Sequence, residues 1–150
     1  GKPALEGGYP AFNMSHSQSK CLIAIGWPGP LGIDLELPRT VQLGPVRQAL
    51  IVAAGLGLDS DALESARQPD CRPEVPFLRA WTRLEALAKA RGDGIGHLLT
   101  TLGITASGVK ELTAGEVGAR ADTLIASSGL QIADIALPDA SIGAIAAAGL

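Results

Sequence analysis

Aromatic residues, cysteine and charge are all scarce in this 150-residue chain. Phe, Trp and Tyr together make up 3% of the residues, so any core must be built from Ala, Leu, Ile and Val. Charged residues make up 18% and hydrophobic residues 47%, which argues against a disordered chain, because disorder requires low hydrophobicity and high charge. With 12 Lys and Arg against 15 Asp and Glu, the net charge of -3 lacks the basic surface of a nucleic-acid-binding protein.

The two cysteines and the short apolar runs exclude several further classes of protein. Cys21 and Cys71 lie far apart and outside any Cys-x-x-Cys pair, which argues against a zinc site or a disulfide framework and favours reduced thiols in a cytoplasmic protein. The longest apolar runs, residues 49–58 and 142–150, fall short of the ~20 residues that cross a bilayer. No basic segment precedes an apolar run after Gly1, so we expect no signal peptide and no membrane association.

Hydrophobic periodicity predicts strands at both ends of the chain. Residues 19–26 and 31–37 predict two strands on either side of a proline-rich turn, and we expect them to pair as a hairpin. Residues 124–137 and 141–148 predict closing strands. Because helical patterns lie between the two groups, the order indicates a single α+β domain with an antiparallel sheet packed against a long helix.

The middle of the chain predicts helices separated by loops. Residues 45–56 indicate a buried helix, residues 77–91 indicate the longest helix with an apolar stripe, and residues 60–66 add one or two helical turns. Glycine and proline in residues 1–11, and three prolines in residues 68–76, predict loops.

Two carboxylates stand at alternate positions of the second predicted strand. On a strand, Asp34 and Glu36 share one face, roughly 6.6 Å apart, while Ile33 and Leu35 face the core. Carboxylates this close repel one another unless a cation lies between them, and hard oxygen ligands suit Mg²⁺, which often shares a substrate phosphate. The same alternation is also typical of an ordinary solvent-facing strand, and the residues leave both interpretations open.

Two further groups of polar residues each have two interpretations. Glu85 and Lys89 are i,i+4 neighbours on the long predicted helix, either as a surface ion pair worth roughly 0.3–0.5 kcal/mol or as a third metal carboxylate beside a phosphate-binding lysine. His16, between Ser15 and Ser17, is either an ordinary loop histidine or part of a phosphate clamp.

Four segments taken together resemble the 4′-phosphopantetheinyl transferases of the Sfp type. They are GKP at residues 1–3, FNMSHS at 12–17, GIDLE at 32–36 and WTRLEALAKARGDGI at 81–95, and a weaker resemblance returns at residues 137–149. The resemblance implies that residues 1–150 form one domain equivalent to the second, C-terminal half of a two-half enzyme. It also implies transfer of phosphopantetheine from coenzyme A to a serine of an acyl or peptidyl carrier protein, with Mg²⁺ as the cofactor.

The resemblance assigns roles at the acidic positions. It implies that Asp34, Glu36 and Glu85 are metal ligands and that Lys89 binds the transferring phosphate. Glu85 is then the candidate base for the serine proton, because it would lie at the metal. Arg39, shortly after the acidic pair, also fits the family pattern.

The resemblance implies coenzyme A contacts as well. Ser15 and His16 match the pair that meets the 3′-phosphate of coenzyme A, and Lys2 matches a further contact to it. One position departs from the family, because Leu84 occupies the place of a lysine that usually precedes the helix glutamate. Arg83 is adjacent, but on a helix it points about 100° away from that position.

A chain that resembles half of an enzyme allows three organisations. It is a fragment without its N-terminal half, a protein that self-associates so that a second copy supplies the missing wall, or a diverged relative. The alternative function is a non-catalytic module of the same fold that docks a carrier protein or another subunit. A third option is another Mg²⁺-dependent phosphate-handling protein.

Overall fold

The computed structural model describes residues 5–8, 10–56, 72–105 and 112–150, and it confirms the α+β class. After a short 3-10 turn at Glu6–Gly8, the elements in chain order are β1 (Ala11–Ser17), β2 (Lys20–Gly26), β3 (Leu31–Glu36), α1 (Pro45–Leu56), α2 (Glu74–Arg91), α3 (Ile95–Thr101), α4 (Ala114–Ser128), β4 (Gln131–Ile135) and β5 (Ile142–Ala147). None of the helices in these ranges combines the length and apolar character needed to span a membrane.

The strands form two antiparallel sheets. β1 pairs with β2 in one sheet, while β3, β5 and β4 form the second sheet with β5 in its centre. The predicted pairing of residues 19–26 with residues 31–37 is therefore wrong, although both strands exist. Pro28 and Pro30 lie between β2 and β3 and supply no amide hydrogen for a ladder, whereas a two-residue turn joins β1 directly to β2.

Strand β1 was not predicted, and its polar residues explain why. Residues 12–17 alternate between the buried side chains of Asn13 and Ser15 and the exposed side chains of Met14 and His16. The buried positions are polar, so hydrophobic periodicity gives no strand signal here. The predicted loop at residues 1–11 accordingly gives way to β1 at its last residue, Ala11.

Two predicted boundaries near the helices also change. Residues 124–128 belong to α4 rather than to a closing strand, because a capping box at Thr113 and Glu116 starts a helix that continues through them. Helix α2 begins at Glu74, three residues before its predicted start, so it includes the end of the predicted loop at 68–76. The helical turns predicted at residues 60–66 lie outside the described residues.

Helix α2 lies at the centre of the core, packed against β3, β5 and α1. Its apolar face buries Phe77, Leu78, Leu84 and Leu87. The helix ends where Gly92 takes a left-handed conformation at φ 79°, and the Gly92 amide donates to the carbonyl of Lys89.

Glycine and alanine bring β3 unusually close to α2. A Cβ atom added at Gly32 would collide with the carbonyl oxygen of Ala86 and the amide nitrogen of Ala90, both of them backbone atoms. At Gly55 of α1, a Cβ atom would likewise lie 2.5 Å from the Cα of Ala80. Backbone atoms cannot move aside as a flexible side chain can, so this packing is available only to glycine at both positions.

We expect Gly32→Ala to lower the free energy of unfolding by about 1–3 kcal/mol, because the added methyl must push β3 away from α2. Gly96→Ala is the control, since a Cβ atom there meets no atom within 4 Å and alanine is the better helix former. Denaturant titration of both variants measures the difference. Equal stability of Gly32→Ala and the unsubstituted chain would contradict the close packing.

A buried arginine ties α2 to β4 and to α1. Arg83 is 7% exposed, and it donates from Nε to Oδ1 of Asp134 at 2.7 Å and from Nη1 to the carbonyl of Gly55 at 3.2 Å. Arg79 adds a bond to Oδ2 of Asp134 at 2.6 Å. Burial alone would raise the pKa of Asp134, but the bonds from Arg83 and Arg79 outweigh it and hold the pKa below its ordinary value.

Asp134→Asn should lower the free energy of unfolding at pH 7 by about 1–3 kcal/mol, because it leaves buried Arg83 without a full counter-charge. Because the pKa of Asp134 is lowered by folding, this stabilisation is present above the ordinary value of 3.8 and disappears as the pH falls through the folded-state pKa.

Thermal melts at neutral and acid pH measure this prediction, and the gap between Asp134→Asn and the unsubstituted chain should narrow in acid. Asp93→Asn breaks an ion pair between neighbouring residues, Arg91 and Asp93, and serves as the control with a loss below about 1 kcal/mol. A gap for Asp134→Asn that stays constant from neutral to acid pH would contradict the assignment.

Candidate active site

Six of the seven predicted site residues line one open cleft of about 350 Å³, where β1, β3 and α2 meet. These residues are Ser15, His16, Asp34, Glu36, Glu85 and Lys89. The seventh, Lys2, lies outside the described residues. A larger cavity of about 570 Å³ is lined by α2, α3 and α4 and includes Arg91 and Arg120, but it contains none of the predicted residues.

Asp34 is a buried carboxylate held by two donors. Its side chain accepts a bond at Oδ1 from Lys89 Nζ at 2.6 Å and another at the same atom from Ser15 Oγ at 2.8 Å. Burial raises the pKa of Asp34 above its ordinary value, although Lys89 and Ser15 both favour the ionised form. The interpretation of Asp34 as a solvent-facing residue is therefore wrong, because only 6% of the residue is exposed.

Glu85 lies in the same cleft with an excess of negative charge around it. The ammonium of Lys89 pairs with Asp34 and donates to the carbonyl of Ile33 at 3.1 Å, so the surface ion pair considered between Glu85 and Lys89 is not formed. Burial raises the pKa of Glu85, and the charge of Asp34 raises it further, with a smaller contribution from Glu36. Lys89 acts in the opposite direction without cancelling these effects.

Glu36 is held at the end of β3 by Arg39. The guanidinium donates from Nε to Oε2 and from Nη2 to Oε1, each at 3.1 Å, which is a bidentate pair. Arg39 therefore contacts an acidic residue of the cleft, although the guanidinium itself is not part of the cleft wall.

The chemistry of the donors fits a divalent cation, although the present side-chain arrangement does not assemble a site. Carboxylates from β3 and α2 are hard oxygen ligands, and the raised pKa values of Asp34 and Glu85 indicate that added positive charge would stabilise the cleft. Within the described ranges, no group of three or more His, Cys, Asp or Glu side chains is arranged to hold a metal ion. Oδ1 of Asp34 is bonded to Lys89 and both carboxylate oxygens of Glu36 are bonded to Arg39, so a cation would compete with Arg39 for Glu36 and would take the remaining oxygen of Asp34.

Ser15 and His16 point to opposite sides of β1. Ser15 is 7% exposed, and its Oγ accepts a bond from the amide of Leu35 at 3.2 Å while donating to Asp34. His16 is exposed, and its partner in the β1–β2 register is Cys21. Both residues line the cleft, but Ser15 is buried and bonded to β3, whereas His16 is exposed.

Asn13 is a residue of the site region that the sequence analysis missed. Its Oδ1 accepts a bond from the amide of Ile33 at 2.9 Å, and the hydroxyl of Ser17 accepts one from the amide of Leu37 at 3.4 Å. A signal was present in the sequence, since Asn13, Ser15 and Ser17 are alternate polar residues, a spacing that places side chains on one face of a strand.

The departure from the family pattern at Leu84 has a structural counterpart. Leu84 is 1% exposed and belongs to the core, and the neighbouring Arg83 is bonded to Asp134. Neither residue supplies a positive charge to the cleft, and the lysine that lines the cleft is Lys89.

The chain is similar to several known transferases over part of its length. No protein-family model matches it. It is 40% identical over 88 residues to the 4′-phosphopantetheinyl transferase HetI of a Nostoc species, a match that covers 58% of this chain and 35% of that relative. It is 34% identical over 101 residues to the 4′-phosphopantetheinyl transferase AcpT of Salmonella typhi, covering 67% of this chain and 50% of the relative. It is also 34% identical over 101 residues to AcpT of Escherichia coli, a match that covers 67% of this chain and 49% of that relative. The chain therefore spans about half, or less, of the length of these relatives.

Glu85→Gln removes a carboxylate whose ionisation is opposed by burial and by Asp34. Because folding raises the pKa of Glu85 above 4.5, its charge reduces stability as the pH rises through that pKa. Without divalent cations, the variant should therefore melt about 2–4 °C higher than the unsubstituted chain at pH 8, and the difference should disappear in acid.

Differential scanning calorimetry in a chelating buffer measures this change. Glu74→Gln, in the first turn of the same helix, serves as the control and should bring no gain. A lower melting temperature for Glu85→Gln at pH 8 would show that the Glu85 charge is compensated in the folded chain.

Proposed function

The chain belongs to the 4′-phosphopantetheinyl transferase superfamily, and from that premise we propose that it transfers the 4′-phosphopantetheine group of coenzyme A to a serine hydroxyl of an acyl or peptidyl carrier protein. The observation that carries the proposal is the position of Asp34, Glu36, Glu85 and Lys89 around one cleft, although they come from two separate elements. The two relatives HetI and AcpT are named for this group transfer, which supports the reaction class.

We propose that residues 1–150 correspond to the half of such an enzyme that carries the acidic motifs. Strand β5 lies within residues 137–149, where the resemblance returns, and it is the direct partner of the acidic strand β3. The remaining wall of the coenzyme A site would then come from a further segment of the protein or from a second copy of the chain.

Lys89 is the residue that we propose binds the transferring phosphate. An ammonium group has three hydrogens to donate, and the bonds to Asp34 and Ile33 occupy two of them. The third is available for a phosphate oxygen at the cleft. His16, exposed on the rim, and Lys2 are the proposed contacts to the rest of coenzyme A.

Asp34, Glu36 and Glu85 are the residues that would hold Mg²⁺. A bound magnesium ion would offset the charge of the coenzyme A pyrophosphate and favour the departure of its adenosine end. The raised pKa values of Asp34 and Glu85 support this proposal, because burial, and at Glu85 the charge of Asp34 as well, opposes their ionisation and a cation would offset that effect.

Glu85 is the proposed general base. Its carboxylate lies in the cleft beside the proposed cation, where it would meet the serine hydroxyl, so its position supplies most of the effect. After Glu85 takes the hydroxyl proton, the serine oxygen forms a bond to the β-phosphorus of coenzyme A. The bond from that phosphorus to the bridging oxygen breaks, and adenosine 3′,5′-bisphosphate leaves with the electron pair.

A non-catalytic docking module is the second candidate function, and Leu84 favours it. With Leu84 in the core and Arg83 bonded to Asp134, neither residue adds a positive charge to the cleft. Calorimetric titration with coenzyme A separates the two functions, because a transferase should bind it in a Mg²⁺-dependent way and a docking module should not.

Incubation with coenzyme A, Mg²⁺ and an apo carrier protein should increase the mass of the carrier by one phosphopantetheine group. Asp34→Ala should abolish the transfer, and a chelator should stop it, while circular dichroism shows the fold retained. Asp122→Ala, on the exposed side of α4, serves as the control and should transfer at the unsubstituted rate.

Mass spectrometry of the carrier measures the result, with a full-length relative assayed in parallel. Full transfer by Asp34→Ala would show that the metal assignment is wrong. No transfer by the chain, while the relative is active, would contradict catalysis by this chain alone.

A further inference from the structure

Strand β1 is attached to the acidic strand β3 by side chains rather than by a backbone ladder. In the described part of the chain, β3 is an edge strand, with β5 on one side and no strand of its own sheet on the other. The amides of Ile33 and Leu35, and that of Leu37 just after the strand, face β1 on this second side. Each of these amides donates to a side-chain oxygen, in order those of Asn13, Ser15 and Ser17. The three bonds fix the register of β1 on β3 and so fix the place of the Ser15 hydroxyl.

The hydroxyl of Ser15 has a single hydrogen, and that hydrogen is already used. It is donated to Oδ1 of Asp34 at 2.8 Å, while the oxygen accepts the amide of Leu35 at 3.2 Å. An ionised phosphate oxygen can only accept a hydrogen bond, so a serine hydroxyl that binds it must donate its hydrogen to it. Ser15 therefore cannot hold Asp34 and a phosphate at the same time, and breaking its bond to Asp34 would leave a buried carboxylate with one donor fewer.

Both hydrogen bonds to Asp34 end on the same carboxylate oxygen. Ser15 and Lys89 both donate to Oδ1, so within the described residues Oδ2 is left as the oxygen of Asp34 without a hydrogen-bond donor. Two donors on one oxygen fix the rotation of the carboxylate. Because Asp34 lines the cleft, Oδ2 would be the oxygen that a cation there could take.

We propose that Ser15 is a positioning residue that orients Asp34 toward the cation, and that it does not hold the 3′-phosphate of coenzyme A. This inference rests on the proposed transfer function and deepens it. His16 follows Ser15 in β1, and its side chain is exposed where that of Ser15 is buried. We therefore assign the side-chain contact to the 3′-phosphate to His16 alone.

Coenzyme A and 3′-dephospho-coenzyme A together test the assignment, because they differ only in the phosphate at issue. Ser15→Ala should lower kcat tenfold or more with both donors, leaving the ratio of their kcat/KM values within twofold of that of the unsubstituted chain. His16→Ala is the matched comparison, since it should lower that ratio toward one. A raised KM for coenzyme A alone in Ser15→Ala, with kcat unchanged, would overturn the proposal.

A Mg²⁺ titration provides a readout that does not depend on turnover. The Mg²⁺ concentration at half of the thermal shift should rise about tenfold in Ser15→Ala. Ser15→Cys keeps the volume of the side chain with a much weaker donor, so it should show the same rise if Ser15→Ala proves difficult to fold. Ser128→Ala, at the end of α4, removes a hydroxyl–amide bond to the amide of Leu130 away from the cleft, so its Mg²⁺ midpoint should match that of the unsubstituted chain.

The two measurements distinguish failure of this inference from failure of the proposed function. A chain that responds to Mg²⁺ but transfers nothing contradicts the transfer activity, and the midpoint of Ser15→Ala still decides the role of Ser15. An unchanged midpoint in both Ser15 variants overturns the positioning role. A chain that neither transfers nor responds to Mg²⁺ overturns both proposals.

Discussion

The close approach of β3 to α2 is the constraint on which the rest of the site depends. Gly32 faces the backbone of Ala86 and Ala90, and this contact sets the distance between the acidic strand and the helix. At that distance the ammonium of Lys89 reaches both Asp34 and the backbone of β3. A wider spacing would separate the carboxylates of the strand from the glutamate and lysine of the helix, so the packing of small residues determines the electrostatics of the cleft.

The protein contains two paired carboxylates with opposite pKa shifts, Asp34 in the cleft and Asp134 on β4. Asp134 is bonded to two arginines, and its pKa is lowered, which is what a purely structural ion pair requires. Burial raises the pKa of Asp34 despite the bond to Lys89, and Asp34 shares the cleft with two further carboxylates. Clefts with carboxylates perturbed in this direction are common among functional sites, because the charge that is missing is supplied by a ligand.

The sequence predicted the elements that carry strong local signals and missed those determined by distant partners. The acidic strand β3 and the long helix α2 were placed within a few residues, and Asp34, Glu36, Glu85 and Lys89 do line one cleft. The partner of β3 could not be predicted, because β5 is selected by the packing of both strands on α2. Local patterns also favoured the wrong pairing, since β2 and β3 are neighbours in the chain.

Polar side chains with buried partners were the other source of error. Asn13 and Ser15 alternate as strand residues do, but nothing in the local sequence indicates that backbone amides of β3 will donate to their side chains. The ion pair of Lys89 was assigned to Glu85 or to a phosphate, whereas its partner is 55 positions away at Asp34. The helix through residues 124–128 was predictable, since Thr113 and Glu116 have the spacing of a capping box.

The central place of β5 also determines when the acidic strand can form during synthesis on the ribosome. Its register partners in β5 follow β3 by more than one hundred residues, so the nascent strand emerges long before its ladder exists. During that interval the amides that face β1 can already be bonded, because Asn13, Ser15 and Ser17 precede β3 by about twenty residues. The side-chain bonds from β1 are thus the first tertiary contacts available to protect an unpaired strand from association with other chains.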